Sequence, residues 1–593
     1  MILQSLVRHY DALAAKGVIS PVGWSMAKVS FALELARDGS LLGVMPMKIP
    51  SKDGKKEVPQ PMRVPEQVKR ASGVAANFLC DSGAYLLGMD NKGKPERTRK
   101  CFEASRKLHH EILDGVKNEA AEAVLHFFDT WQPGTVEENE ALTNFLDEIK
   151  AGANLIFKTQ DGENVQDDSE VKAAWEQHRA QKSDGAVMMR CLVTGEKAPV
   201  ARLHPSIKGV AGAQPSGASL VSYNAPAFES YGHEMSDDTG QGLNGPVSEL
   251  AAFKYTTALN TMTADRNHVQ RIADTTVLYW AEDAEPAYQD VFSGAAFGLS
   301  DRIGTETLKG VVKALAGGGN THFRDTELRA DNQFYVLGLA PNASRLSVRF
   351  FLQNEFGRML KNLHEHNERL EIARPSFETK TSLPLWNLLN ETANQNSKNK
   401  TPPPPMAGAV LLSILSDTDY PASLFENIML RIRAEHDINW QKAAILKAYG
   451  LKNREITVPE EVFKVELNEK SDYTPYVLGR LFALLEMVQK TANPGIKATI
   501  RNKYFTSASA TPAAIFPLLL SLSQHHQRKL SEGAKVYYDK KITDLGSRLR
   551  ETLPTRFTLQ EQGSFYLGYY HEKRALFTSN KKCDSKNEED ESR

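Results

Sequence analysis

Apolar positions recur at helical or strand spacing in successive blocks, and these blocks predict the elements of the chain. Leu3, Leu6, Val7, Tyr10 and Leu13 fall three or four residues apart, so residues 2–16 should form a helix closed by Gly17. Val29, Phe31, Leu33 and Leu35 then alternate with Ser30, Ala32 and Glu34, the period of a strand, and Asp38-Gly39 turns the chain into LLGVMPMKI as its hairpin partner. The polar, proline-bearing segment 51–67 reads as a surface loop. In 69–90 two basic residues, Ser72, Gly73 and Asn77 precede a strand-like run. Helical periodicity fills 101–150 in three pieces, NLIFKTQ (154–160) reads as a short strand, and 169–182 as a polar helix.

From Met188 the pattern MMRCLVTGEKAPVARLH predicts two short strands around Thr194-Gly195. A helix over 248–262, a buried strand over 275–282 and a helix over 305–316 follow, and 332–353 gives two β-rich runs around Ala340-Pro341-Asn342-Ala343 before another helix. This order is α+β in character. The stretch NQNSKNKTPPPPM (394–406) reads as a linker, polar and then polyproline. Beyond it the pattern is helical at 407–417, 421–434, 438–450, 475–490, 512–530 and 534–551. The expected organisation is therefore a large mixed α/β N-terminal region (1–393), the linker, a helical connecting segment (407–470) and an all-α C-terminal bundle (471–580). The acidic tail 581–593 should be disordered.

One stretch fits neither period. His204–Asn260 carries glycines 209, 212, 217, 232, 240, 242 and 245, many hydroxyls and amides, and few core-forming side chains. Ordering such a backbone costs entropy, so a folded protein keeps it where backbone must approach a ligand. Leu220, Val221, Tyr223, Phe228 and Tyr231 are expected to anchor it to a core. Lys208, Gly209, Gly212, Gln214, Ser216 and Gly217 would then form a loop able to contact phosphates and insert a polar side chain into a groove. A mononucleotide cradle is a rival use of the same glycines, but no strand–loop–helix fingerprint accompanies them.

Composition narrows the class. The 593 residues are 41% hydrophobic and 24% charged with a net charge of −1, so any nucleic-acid surface must be a local basic patch. The four cysteines (Cys80, Cys101, Cys191, Cys583) form no CxxC pair, which argues against a zinc module or a disulfide framework. With no long apolar run and no signal-peptide layout, the expected location is cytoplasmic, away from membranes. No phosphate-loop, HExxH, nucleophile-elbow or clustered-carboxylate motif occurs, and His109-His110, His364/His366 and His525-His526 lack metal-ligand spacing. Neither an enzyme nor a cofactor or metal is implied. A basic cluster does stand out. Between Arg480 and Lys541 ten basic residues face three acidic ones, a local excess of +7, with Tyr504, Phe505, Tyr537 and Tyr538 interleaved. Lys490, Lys497, Arg501, Lys503, Arg528, Lys529 and Lys535 thus suit a sequence-independent grip on a single strand.

The series CLVTGE, LHPSIKGVAGAQPSGASLVSYNAPAFESYG, VSELAAFKYTTALN, FYVLGLAPNASRLSVRFF and YVLGRLFALLEMVQ, with MILQSLVRHYDAL and NFLCDSGAYLLG before it, resembles the large subunit of the type I-C CRISPR Cascade surveillance complex. The likeness runs from residue 1 to about 575. It departs at 51–67, at 233–244 and in the acidic tail. The resemblance implies a non-enzymatic subunit that recognises the protospacer-adjacent motif in double-stranded DNA, helps open the duplex and stabilise the R-loop, and recruits the helicase–nuclease. Guide pairing would supply the rest of the specificity, a division of labour known from another effector class. The implied partners are CRISPR RNA, target double-stranded DNA, and the backbone, guide-processing and small subunits of Cascade. The C-terminal bundle would hold the displaced strand, and would also be made separately as the small subunit from an internal start near Met429 or at a non-AUG codon such as that of Val465. Lys69, Arg70, Ser72 and Asn77 are expected beside the adjacent motif, Asn77 being suited to a base-edge hydrogen bond. The alternative is a nuclease or nucleotide-dependent enzyme of the same defence system.

Overall fold

The computed structural model describes residues 1–590 apart from 52–55, 69–72, 182–186, 224, 231, 234–240, 267–268, 299–303, 379–381, 395–396 and 398–399. The chain forms two compact units, one comprising Leu3–Pro205 and Ser222–Ala258, the other Ser206–Val221 and Leu259–Arg593.

In the first unit the strands Leu41–Pro46, Phe31–Leu35, Asn154–Thr159 and Cys80–Ser82 lie side by side in that order, Phe31–Leu35 running parallel to Asn154–Thr159. Phe31, Leu33, Leu35, Leu155 and Phe157 point to a core closed by the helices Pro95–Leu113 and Glu119–Thr130, whose Phe102, Ile112, Val124, Phe127 and Phe128 interdigitate there. The second helix starts where Asn118 accepts the N–H groups of Ala120 and Ala121, an N-cap that satisfies two orphan donors. A three-stranded sheet holds Glu57–Pro65 between Trp24–Val29 and Lys48–Pro50. This corrects the expected surface loop at 51–67. Prolines 59, 61 and 65 take the extended backbone their rings allow, and only the short strand Lys48–Pro50 needs donors on its side. The third expected helix of 101–150 is also smaller than its pattern suggests. It resolves into the 3₁₀ turns Pro133–Glu138 and Thr143–Phe145 and the short helix Leu146–Lys150.

The second unit is built on an antiparallel sheet in the order Val269–Ile272, Thr275–Ala281, Gln333–Asn342, Arg345–Glu355. All seven residues of Thr275–Ala281 are buried, and apart from the two leading threonines the strand reads as a continuous run with no charged residue. One core then runs from Ile272 through the sheet and the helices Phe356–Arg369, Pro404–Leu415, Ala422–Glu435, Trp440–Lys452 and Thr474–Ala492 to Leu576. The proline run is therefore interior to a unit. Pro404 occupies the first turn of its helix, where a missing N–H costs nothing, and Met406, Val410, Leu411 and Ile414 bury behind it. The helices Ile500–Ala510, Pro512–Gln527, Glu532–Ser547 and Leu559–Asp590 complete the all-α end. The last helix spans Leu559–Asp590, and neither glycine nor proline interrupts the sequence after Gly568. No described helix is long and apolar enough to cross a membrane.

Candidate nucleic-acid interface

The glycine-rich stretch divides at the unit boundary, and its first part, Ser206–Ser219, is a pinned excursion of the second unit. Ile207 and Ala218 exchange both backbone hydrogen bonds at 2.9 Å and close its neck. Asn260 braces the other side: its Oδ1 accepts the Lys208 N–H at 2.8 Å and its Nδ2 donates to the Ser206 carbonyl at 3.1 Å. Further along, the Ala211 N–H donates to Thr276 Oγ1 at 3.0 Å, and Ser219 pairs with the hairpin turn through Ser344 and Leu346. Gly209, Gly212 and Gly217 have φ of +78°, +78° and +101°, left-handed conformations that side chains resist. At Gly209 a Cβ would in addition press on Thr263. The result is two-sided, with Ile207, Val210 and Ala218 buried and Lys208, Gln214 and Ser216 exposed.

The anchors are thus not the expected ones. Leu220, Val221 and Tyr223 are only half-buried, Phe228 is exposed, and Tyr231 lies outside the described residues. Asn260 and Thr276 went unnoticed in the sequence, where the one signal is an amide of poor helix propensity near the end of a mostly apolar helix. His204, at the start of the stretch, shares a 2.6 Å hydrogen bond with the Tyr255 hydroxyl, and burial pushes its pKa down to about 4. It is neutral near pH 7 and no phosphate ligand.

Lys69, Arg70 and Ser72 lie outside the described residues. Asn77 is described, and it does not present its amide to solvent. It is buried, accepts the Val68 N–H at 2.8 Å, donates to Gln67 Oε1 at 2.9 Å, and passes its own N–H to Asp81. Buried, and engaged through both its oxygen and its nitrogen, this amide is not presented to a base edge. It ties together the chain on either side of Lys69, Arg70 and Ser72.

In the C-terminal helices the basic residues separate into two sets. Lys490 and Arg501 turn toward the buried Glu486, Lys490 at 2.9 Å and Arg501 at 4.0 Å, with Arg501 also at 2.6 Å from Asp437. Burial pushes the Glu486 carboxyl up, but hydrogen bonds from Tyr569 and Lys490 and the Lys573 charge hold it below the usual range. These two cations are engaged by an internal carboxylate, unlike the others expected on a strand surface. Lys497, Lys503, Arg528, Lys529 and Lys535 are exposed. Of the interleaved aromatics, Phe505 and Tyr538 are core, whereas Tyr537 is exposed beside Lys541. Among the described residues no group of three or more His, Cys, Asp or Glu side chains is placed to hold a metal ion.

What the geometry offers is two exposed polar surfaces rich in phosphate-binding groups, one on a rigid loop and one on helices. No curated protein matches the chain. Residues 6–577 match the family described as CRISPR-associated protein (Cas_Csd1). The match leaves out only the ends, and the chain belongs to this family, that of the large subunits of type I-C CRISPR Cascade.

Proposed function

We propose that this subunit recognises the protospacer-adjacent motif in double-stranded DNA, helps open the duplex beside it, and recruits the helicase–nuclease, while its C-terminal helices hold the displaced strand. The supporting observation is the loop Ser206–Ser219, whose backbone is pinned at Ile207, Lys208, Ala211 and Ser219 while Lys208, Gln214 and Ser216 face outward. A rigid loop with one cation, one amide and one hydroxyl can fix register on a phosphate and address a base edge at little ordering cost. Lys69 and Arg70 are a separate pair of phosphate contacts near the adjacent motif in this reading, with Ser72 and Asn77 close to it in sequence. Lys497, Lys503, Arg528, Lys529 and Lys535, with Tyr537 as a stacking platform, suit a single strand without sequence preference.

The test is target-duplex binding by the reconstituted complex with Lys208→Ala or Gln214→Ala, on cognate and altered adjacent motifs across a salt series. Lys208→Ala should weaken all duplexes alike and reduce the salt slope by about 1. Gln214→Ala should cost about 1–3 kcal/mol on the cognate motif only. Unchanged affinity and unchanged preference for both variants would exclude the loop from DNA recognition.

A further inference from the structure

We infer that Asn260 is a positioning residue for DNA binding: it sets the orientation of Lys208 by acting as a strand partner for the loop. The inference rests on the assignment of the loop to DNA above. Residue 207 already pairs on one side, both its N–H and its C=O bonding to Ala218 at 2.9 Å. On the opposite side the exposed backbone groups are the Ser206 C=O and the Lys208 N–H, and the single Asn260 amide satisfies both, at 3.1 and 2.8 Å. That donor–acceptor pattern is the one a neighbouring strand would present to residues i−1 and i+1. A side-chain amide takes the place of a third strand, and no other neutral side chain of its length carries a donor and an acceptor side by side.

The consequence falls on Lys208. Gly209 follows it at φ +78°, so the chain reverses immediately after the brace; the lysine is exposed, no ion pair holds it among the described residues, and the backbone bond is its anchor. Thr263, one turn beyond Asn260 on the same helix, closes the space beneath Gly209 and packs the reversal from below. Brace and reversal are thus both held by one helix end. Without the brace, Ile207 and Ala218 still close the neck, so the loop persists but the Lys208 backbone is free to rotate. The fold, whose core lies elsewhere in the unit, is unaffected.

The experiment uses the complete guide-loaded complex carrying Asn260→Ala, Asn260→Asp, Lys208→Ala or the double variant Asn260→Ala/Lys208→Ala, with a target duplex as probe. Thermal melting and hydrogen exchange of the Lys208 amide are measured on the same preparations. Asn260→Ala should leave melting unchanged, abolish protection of the Lys208 amide, speed duplex dissociation about tenfold, and lower the salt slope as Lys208→Ala does. Asn260→Asp, which keeps the acceptor and loses the donor, should fall between. The double variant should bind no worse than the worse single one, since both remove the same contact. Loss of amide protection with unchanged dissociation and salt slope would overturn the positioning role. So would additive losses in the double variant. Failure of Lys208→Ala itself to alter binding would instead strike at the assignment of the loop to DNA.

Discussion

A single imidazole fixes the backbone thirty residues away at position 79. His109 is fully buried, its Nδ1 is 2.7 Å from the Ser105 carbonyl, and its Nε2 lies 3.0 Å from the Leu79 N–H. Both contacts are satisfied when Nδ1 carries the proton and Nε2 accepts. Leu79 needs the help, because its φ of +56° is left-handed. Burial, with the adjacent His110 adding to it, pushes the His109 pKa down to about 4, although the Ser105 hydrogen bond opposes the shift. The unfolded chain, with an ordinary pKa near 6.5, binds the proton first. Stability from this group is therefore complete above about pH 6.5 and is lost as pH falls toward 4, on the order of 3 kcal/mol over that window. His109→Phe should melt below the parent protein at pH 7, with the gap narrowing as pH approaches 4.5; a gap independent of pH would refute the account. Residue roles of this sort were only half legible. Lys208, Gln214 and Ser216 read correctly as exposed because glycines and prolines around them forbid regular structure. The engagement of Asn77 was not legible, because its partners Gln67 and Val68 lie across a segment with no periodicity.

Among the elements, the helices Thr474–Ala492 and Leu559–Asp590 show how close approach is bought with glycine. A Cβ at Gly479 would overlap the Phe565 carbonyl, and one at Gly568 would overlap the Tyr476 carbonyl, so the two backbones touch reciprocally. Three polar links span the same seam: Arg480 to Glu572 at 2.9 Å, the Tyr476 hydroxyl to His571 at 2.9 Å, and the Tyr569 hydroxyl to Glu486 at 2.6 Å. In an isolated helix Gly→Ala stabilises by about 1 kcal/mol. Here the sign should reverse, since a methyl must part the backbones and stretch buried hydrogen bonds, a loss of about 1–3 kcal/mol for Gly479→Ala. Adding Gly568→Ala should cost less than its single effect, because the first methyl has already opened the seam. Denaturant melts of the three variants decide it, and a neutral Gly479→Ala or strict additivity would contradict the close-contact explanation. The helix Thr474–Ala492 was plain from its 3.6-residue spacing, as was the hairpin 333–355 from its apolar runs, whereas Leu559–Asp590 was not among the expected helices. Glu57–Pro65 was not, since three prolines mask a strand, and the 133–150 region was not, since apolar spacing alone cannot distinguish a helix from 3₁₀ turns.

For the whole molecule, chain order proves a poor guide to packing. Ser206–Val221 leaves its sequence neighbours to join the later unit, and the core that begins at Ile272 passes the proline run without a break. No local pattern announces either fact, because both depend on which apolar faces meet across hundreds of residues. The same continuity bears on whether the C-terminal bundle is also made separately as a small subunit. Met429 is buried in the middle of the helix Ala422–Glu435, so a start there would retain half a helix. Val465 is exposed and lies before the helix Thr474–Ala492, and a start there keeps every later helix whole. Such a product would still uncover the face where Gly563, Ser564 and Leu567 meet Phe425, Leu446 and Tyr449, and it would lose the cap that Ala373 places on the Tyr570 hydroxyl. Exposed apolar surface of that kind demands a partner. Intact-mass analysis of the purified complex should therefore find a short C-terminal polypeptide beginning between residues 453 and 473, and residues 465–593 expressed alone should self-associate. A complex containing no short product would refute the internal start, and a product beginning at Met429 would show that half of the helix Ala422–Glu435 is tolerated in the free bundle.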